Sequence, residues 1–199
     1  LPYKKGNDLM EQMKPPPGAV PDSIVITFQY KKNGQVVAFD ADHFPADFDS
    51  TYEYVDRLDK VVRKGNATPA IVDFSLRDTS GEDVTKTILT RQGDYILLFA
   101  KDFSNSYTWN NEDFLSILNK VKEKNIPLFV VTADMQNAKK IFGNLAFVNL
   151  LQCDGTVIKT AARVNPTFFI IKGATVIQKI GGYDLDKVLP VIEGLPLQK

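Results

Sequence analysis

Hydrophobic and polar residues divide the chain into three regions with different patterns. Residues 1–23 show little apolar periodicity and contain several prolines, namely Pro2, Pro15, Pro16, Pro17 and Pro21. This composition favours an extended linker with polyproline character. We therefore predict a proline-rich linker over residues 1–23, a β-rich extension over residues 24–66 and a larger α/β domain over residues 67–199.

The β-rich extension is predicted from two apolar, β-branched runs on either side of an Asn-Gly pair. Residues 24–30 and 36–39 are such runs, and Asn33 and Gly34 lie between them. An Asn-Gly pair between two such runs is typical of a β-hairpin. Residues 52–62, where aromatic and β-branched residues lie among charged ones, predict a third strand.

Beyond Pro69 the pattern changes to short apolar runs alternating with helical periodicity. The apolar runs predict strands over residues 71–76, 94–100, 128–131 and 146–151. Helices are predicted between them from N-terminal capping residues and an i, i+3, i+4, i+7 apolar pattern. The residues that indicate these helices are Asn110 or Asn111, Phe114, Ile117, Leu118 and Val121 for the first, and Asp134, Ala138, Ile141 and Phe142 for the second.

The last part of the chain predicts a further helix, a hairpin and a terminal helix. The helix covers residues 157–162, and the hairpin pairs residues 167–171 with residues 175–180 after Pro166. Parallel βα units followed by an antiparallel hairpin indicate an α/β domain with a mixed sheet that is flanked by helices.

Charge and residue counts exclude several functions. The 24 basic and 24 acidic residues cancel, so the chain lacks the basic footprint of a nucleic-acid binder. A single cysteine, Cys153, and a single histidine, His43, exclude an internal disulfide, a CxxC pair, a cysteine-based zinc site and a three-histidine zinc site. The acidic residues between 40 and 49 do not have the spacing of a calcium-binding EF-hand loop. We therefore predict no metal and no cofactor.

Residues 163–182 closely resemble the C-terminal half of a thioredoxin fold, in which the proline that opens the hairpin is cis. Residues 69–84 resemble the entry strands of peroxiredoxins and of membrane-tethered thiol-disulfide oxidoreductases, and residues 151–157 are similar to a later turn in those proteins. The resemblance covers about residues 69 to 195 in motif order. It implies a thioredoxin-like domain with a cis peptide bond before Pro166.

The active-site cysteines of that family are absent. In the oxidoreductase alignment Ser104 and Tyr107 stand where the CxxC pair lies, and in the peroxiredoxin alignment Tyr107 replaces the peroxide-reacting cysteine. A hydroxyl group cannot enter thiol-disulfide or thiol-sulfenate chemistry. We expect no redox catalysis at this junction.

The resemblance implies that a binding groove can remain without the cysteines, because the residue before the cis proline pairs with an extended substrate segment through its backbone. The predicted groove residues are Ser104, Tyr107, Val164, Asn165 and Pro166. Cys153 is expected to be either a lone, partly buried thiol or the partner in an intermolecular disulfide. Both interpretations of Cys153 stay open at this stage.

The whole chain further resembles the soluble C-terminal portion of bacterial DoxX-type membrane proteins. This resemblance implies a domain tethered to the inner membrane and facing the periplasm, with Leu1 shortly after the last membrane helix. The leading hypothesis is a non-catalytic module that docks a segment of its own or a neighbouring membrane protein, or another periplasmic protein, with no nucleic-acid partner. The alternatives are an accessory domain of a redox system that uses Cys153 or cysteines outside this chain, and a freestanding lipoprotein with a structural role.

Overall fold

The strands form two separate sheets, one in each of two compact units. The computed structural model describes residues 1–198. A larger unit comprises residues 1–14 together with residues 70–198, and a smaller unit comprises Pro15–Pro69. The larger unit carries a five-stranded mixed sheet and the smaller unit a three-stranded antiparallel sheet.

The smaller unit is built from β1 (Ser23–Lys32), β2 (Gln35–Asp40) and β3 (Glu53–Arg63). Its strand order is β2-β1-β3, so β1 is central and antiparallel to both neighbours. Asn33 and Gly34 adopt positive φ angles of 51° and 80°, which the tight turn of a two-residue hairpin requires. The predicted hairpin and third strand are both confirmed.

Aromatic side chains cover part of this small sheet. Tyr30 on the central strand stacks on Phe39 with ring centroids 5.4 Å apart, and it meets the edge of Phe48 at 5.0 Å. Phe44 and Tyr52 extend the cluster from the loop between β2 and β3. Since aromatic pairs of this geometry contribute beyond the area they bury, the cluster holds the loop against the sheet.

The sheet of the larger unit contains β4 (Asp94–Phe99), β5 (Leu128–Thr132), β6 (Val148–Gln152), β7 (Thr167–Lys172) and β8 (Thr175–Gly181). Its order is β6-β5-β4-β7-β8. The pairs β4 with β5 and β5 with β6 are parallel, whereas β7 is antiparallel to both β4 and β8. Every residue of β4 is buried, as is typical of a central strand covered on both faces.

Helices flank this sheet, and two of them begin at predicted capping residues. They are α1 (Leu9–Gln12), α2 (Thr85–Leu89), α3 (Glu112–Glu123), α4 (Met135–Phe142), α5 (Gly155–Ala161) and α6 (Leu185–Glu193). The Asn111 side chain accepts a hydrogen bond from the Phe114 amide at the start of α3, and Asp134 accepts one from the Asn137 amide at the start of α4. Among the described residues, no helix combines the length and the apolar character needed to cross a bilayer.

The first fourteen residues belong to the larger unit, which differs from the predicted linker over residues 1–23. The Gly6 amide donates to the Val176 carbonyl at 2.8 Å and the Leu9 amide to the Ala174 carbonyl at 2.9 Å, so this segment follows the outer edge of β8. Tyr3 and Leu9 are buried in the core. Burial of these two side chains and pairing with β8 fix a segment that its composition alone does not predict to be ordered.

Residues 71–76, predicted to form a strand, contain no strand in the structure. Asp73 has a φ of 59°, in the left-handed region, and this interrupts an extended backbone. Ile71, Phe74 and Leu76 are nevertheless buried in the core. The apolar pattern of residues 71–76 therefore reflects burial of these side chains and not pairing as a strand. The helix α2, a few residues further on, was not predicted.

Candidate functional site

The junction between β4 and α3 is fixed by two buried aromatic residues. Phe103 and Trp109 have ring centroids 6.2 Å apart, and Trp109 packs against Phe114 of α3 at 5.0 Å. Between these anchors the chain forms a short 3₁₀ helix, Ser106–Thr108. The anchors leave Ser104 and Tyr107 exposed, and the Tyr107 side chain is 78% exposed.

The Asn165 side chain ties the loop before β7 to this junction. Its Oδ1 accepts a hydrogen bond from the Lys101 amide at 3.0 Å, and its Nδ2 donates to the Asp102 carbonyl at 3.0 Å. Asn165 thus satisfies two backbone groups at the end of β4 that the strand itself leaves unpaired. The Asn165–Pro166 peptide bond is cis, as the resemblance implies.

Asp102 is the charged residue at the centre of this arrangement. Lys101 Nζ lies 2.5 Å from Asp102 Oδ2, and Ser104 Oγ donates to Asp102 Oδ1 at 2.7 Å. Hydrogen bonds from Lys101 and then from Ser104 lower the pKa of the Asp102 carboxyl below its ordinary value. The Asp102 carboxyl is therefore ionised at neutral pH, with its charge balanced by Lys101, and it is not suited to act as a general acid.

Two consecutive glycines bring the end of β8 against the same loop. The Gly182 amide donates to the Pro166 carbonyl at 2.8 Å, and a Cβ at Gly182 would lie 2.6 Å from Pro166 Cδ. A Cβ at Gly181 would lie 3.2 Å from Val164 Cγ1. Tyr183 directly follows Gly182 in sequence and is 91% exposed.

The structure brings four of the five predicted groove residues together. Ser104, Val164, Asn165 and Pro166 are connected through Asp102 and the loop before β7. Tyr107 belongs to the same junction, but its side chain forms no hydrogen bond within residues 1–198. We use the name Asn165 surface for the exposed part of this region, which consists of Ser104, Tyr107, Val164, Asn165, Gly182 and Tyr183.

Four residues of the site are not among those predicted from the sequence, namely Lys101, Asp102, Gly182 and Tyr183. Paired glycines at the end of a predicted strand are typical of a close backbone approach, so Gly181 and Gly182 offered a usable pattern. Lys101 and Asp102 offered none, because their partner Asn165 lies more than sixty residues away in sequence.

Two backbone amides of the Asn165 surface have no partner. Within residues 1–198, neither the Val164 amide nor the Asn165 amide donates a hydrogen bond. The Val164 carbonyl, by contrast, accepts from Thr167 Oγ1 at 2.6 Å. Neighbouring unpaired amides in a partly exposed segment can donate to the backbone of an incoming peptide.

Cys153 lies after β6 and outside the junction. Its side chain is buried, and its amide donates to the Thr132 carbonyl at 2.9 Å. Burial raises the pKa of the Cys153 thiol to about 11, which keeps it protonated at neutral pH. A buried, protonated thiol lacks the accessible thiolate that disulfide exchange and peroxide reduction need.

The remaining titratable residues do not form a metal centre in the part of the chain that the structure describes. Over residues 1–198, no group of three or more His, Cys, Asp and Glu side chains has metal-binding geometry. His43 belongs to the smaller unit, where its Nδ1 lies 2.6 Å from Asp40 Oδ1 on an exposed turn.

Fold and site together define a thioredoxin-like unit that has no cysteine at its strand-to-helix junction. The smaller unit is matched by a family described as a domain of unknown function (DUF8463), over residues 24–64. These residues hold the three strands of the small sheet. A comparison with curated proteins finds no match to the chain.

Solved structures of thiol-disulfide proteins and a peroxiredoxin are similar to part of the chain at low sequence identity. A thio-disulfide isomerase from Thermus thermophilus is 16% identical, with 64% of this chain and 96% of that chain covered and a TM-score of 0.47. The exposed lipoprotein thioredoxin Etrx1 from Streptococcus pneumoniae is 17% identical, with 62% and 100% covered and a TM-score of 0.45. Peroxiredoxin 5 from Alvinella pompejana is 14% identical, with 62% and 94% covered and a TM-score of 0.45.

Proposed function

We propose that the thioredoxin-like unit is a non-catalytic binding module that docks an extended segment of a protein partner on the Asn165 surface. The observation that carries this proposal is the pair of unpartnered amides at Val164 and Asn165. They lie in a loop that Asn165 fixes to the β4–α3 junction, so the donors are held in place before a partner arrives. Preorganised donors reduce the entropy lost on binding.

The chemistry of the surface suits a peptide backbone and apolar side chains. A carbonyl oxygen of an extended segment would accept from the Val164 amide or from the Asn165 amide, as in β-strand addition. Tyr107 and Tyr183 offer exposed aromatic rings on the two chain segments that border the loop. Tyrosine contributes a large contact area with few rotatable bonds, which favours its use in recognition.

A binding role without catalysis is favoured by the position of Cys153, the only cysteine of the chain. Ser104 and Tyr107 occupy the junction, and Cys153 is buried elsewhere. A redox role for the module would therefore require cysteines outside this chain. Such an accessory redox role is the alternative to docking.

The proposal includes a place for the module in the cell. Its support is the resemblance of the chain to the C-terminal portion of DoxX-type membrane proteins. The module would be tethered to the bacterial inner membrane and face the periplasm. The leading partner is then a periplasmic segment of its own or a neighbouring membrane protein, and a separate periplasmic protein is the second choice.

Site-specific photo-crosslinking in native membranes tests the docking proposal. A photoreactive phenylalanine analogue in place of Tyr107 or Tyr183 is expected to give a defined protein adduct. The same analogue at Leu115, an exposed position on α3, is the matched control and is expected to give none. Mass spectrometry of the adduct identifies the segment that is bound.

A second variant links the adduct to the geometry of the loop. Asn165→Ala removes both hydrogen bonds that fix the loop to the junction, and we expect it to reduce the adduct yield at Tyr107 about fivefold or more, equivalent to roughly 1 kcal/mol of lost preorganisation. Equal yields at Tyr107 and Leu115, or a yield that Asn165→Ala leaves unchanged, would contradict docking at this surface.

A further inference from the structure

β3 of the smaller unit has one long side that pairs with nothing in residues 1–198. The strand is the edge of its sheet, and all eleven of its residues are exposed. The Arg57 amide donates to the Asp56 carboxylate at 2.7 Å, which indicates that this amide points away from β1. The free backbone groups of an edge strand can recruit another strand.

The sequence of β3 is complementary to itself when it is reversed about Leu58. Antiparallel pairing of two copies in this register places each charged residue opposite an opposite charge and each apolar residue opposite an apolar one. The facing residues are Glu53 with Arg63, Tyr54 with Val62, Val55 with Val61, Asp56 with Lys60, Arg57 with Asp59, and Leu58 with its own copy.

Neighbouring registers lose this complementarity. In an antiparallel ladder, the backbone groups of two facing residues either both point toward the partner strand or both point away from it. The two-fold axis between two copies of one strand must therefore pass through a residue and not between two residues. Moving the centre to Arg57 places two guanidinium groups opposite each other, and moving it to Asp59 places two carboxylates opposite each other. Since like charges directly opposite are destabilising, one register is selected.

We propose that the smaller unit forms a two-fold symmetric dimer in which β3 pairs antiparallel with β3 of a second copy, centred on Leu58. The two small sheets then become one six-stranded sheet with the order β2-β1-β3-β3-β1-β2. Such an interface is isologous, because each contact occurs twice around the axis. Charged residues on an edge strand normally prevent pairing with other strands. Here the charges of β3 are complementary to those of a second copy of β3, so they permit pairing between two copies of this chain.

The shape of β3 agrees with a short, central interface. Its pairing with β1 skips Val55 and Val62, so the regular stretch runs from Asp56 to Val61. This stretch contains the Leu58 contact and both charged pairs nearest to it. The bulges at its two ends increase the local twist, so the facing residues beyond this stretch lie outside the regular part of the ladder.

Charge-swap variants of the full chain test the proposal by sedimentation equilibrium at low salt. The natural chain is expected to dimerise. Arg57→Asp and Asp59→Arg each turn two attractive contacts per dimer into repulsive ones. Each variant is therefore expected to raise the Kd of the dimer by about tenfold or more. The double variant Arg57→Asp with Asp59→Arg restores opposite charges in the same register and is expected to recover the natural Kd to within about threefold.

The controls separate the β3 contact from net charge and from folding. Lys122→Asp on α3 changes the net charge by the same amount as Arg57→Asp and is expected to leave Kd unchanged. Circular dichroism checks that each variant folds, which is expected because Arg57 and Asp59 are exposed. A monomeric natural chain up to about 1 mM, or a double variant that folds but dimerises no better than the single variants, would overturn the proposal.

A disulfide provides a second, direct readout of the register. In a Cys153→Ser background, Leu58→Cys places one thiol opposite its own copy on the two-fold axis, and oxidation is expected to give a covalent dimer. Val36→Cys, on the exposed strand β2, is the matched control and is expected to remain monomeric on a non-reducing gel. Equal crosslinking of the two variants would count against pairing through β3.

Discussion

Replacing Phe99 by alanine is expected to lower the free energy of unfolding of the thioredoxin-like unit by about 3–5 kcal/mol. Phe99 ends the central strand β4 and is almost completely buried. Its ring centroid lies 4.7 Å from that of Phe169 and 6.4 Å from that of Phe74. Truncation removes apolar contacts on both sides and leaves a cavity that the rigid sheet cannot fill.

Urea denaturation measures this effect. The chain has a single tryptophan, Trp109, and it lies in the thioredoxin-like unit, so its fluorescence reports the unfolding of that unit. Leu115→Ala is the control, because Leu115 is half exposed on α3 and its truncation is expected to change stability by less than about 0.5 kcal/mol. A loss below about 1 kcal/mol for Phe99→Ala would be inconsistent with the described core.

Replacing Leu9 by alanine is expected to destabilise the same unit by about 2–5 kcal/mol. Leu9 is fully buried, and its amide pairs with the Ala174 carbonyl beside β8. This variant distinguishes an N-terminal segment that packs on the core from one that is a flexible linker. In a flexible linker the leucine would already be solvated, and its truncation would cost almost nothing.

Leu1→Ala is the matched control for this experiment. Leu1 lies in the same segment but is 81% exposed, so its truncation is expected to have an effect within about 0.5 kcal/mol. Both variants are compared by urea denaturation with Trp109 fluorescence. Equal, small effects of the two substitutions would show that residues 1–14 do not contribute to the core.

The elements that sequence reasoning predicted well are those with local causes. The Asn33-Gly34 hairpin follows from the turn it permits, and α3 and α4 begin at Asn111 and Asp134 because these side chains accept hydrogen bonds from the first turn of each helix. The hairpin of β7 and β8 is another local structure. In each case the residues that form the element also mark its ends.

The elements that sequence reasoning missed depend on distant partners. Residues 1–14 are ordered because they pair with β8, about 170 residues further along the chain. Residues 71–76 have the apolar spacing of a strand, yet they bury Ile71, Phe74 and Leu76 without pairing as one. Local composition does not distinguish burial of this kind from strand formation.

The candidate site was predictable only in part for the same reason. The prediction of its residues, which are Ser104, Tyr107, Val164, Asn165 and Pro166, depends on a resemblance in sequence and not on spacing. The site is fixed by two hydrogen bonds between the Asn165 side chain and the backbone, one accepted from the Lys101 amide and one donated to the Asp102 carbonyl, and they join segments more than sixty residues apart. No pattern within either segment indicates the other.

We propose that this thioredoxin-like unit binds a protein segment and does not perform thiol chemistry. The most direct test is to measure disulfide reduction with dithiothreitol and peroxide reduction by the purified chain, beside Cys153→Ser. Because the junction carries Ser104 and Tyr107 and no cysteine, and the Cys153 thiol is buried with a raised pKa, both proteins are expected to show the same background rates. Turnover above background by the natural chain that disappears in Cys153→Ser would contradict the account and make Cys153 catalytic.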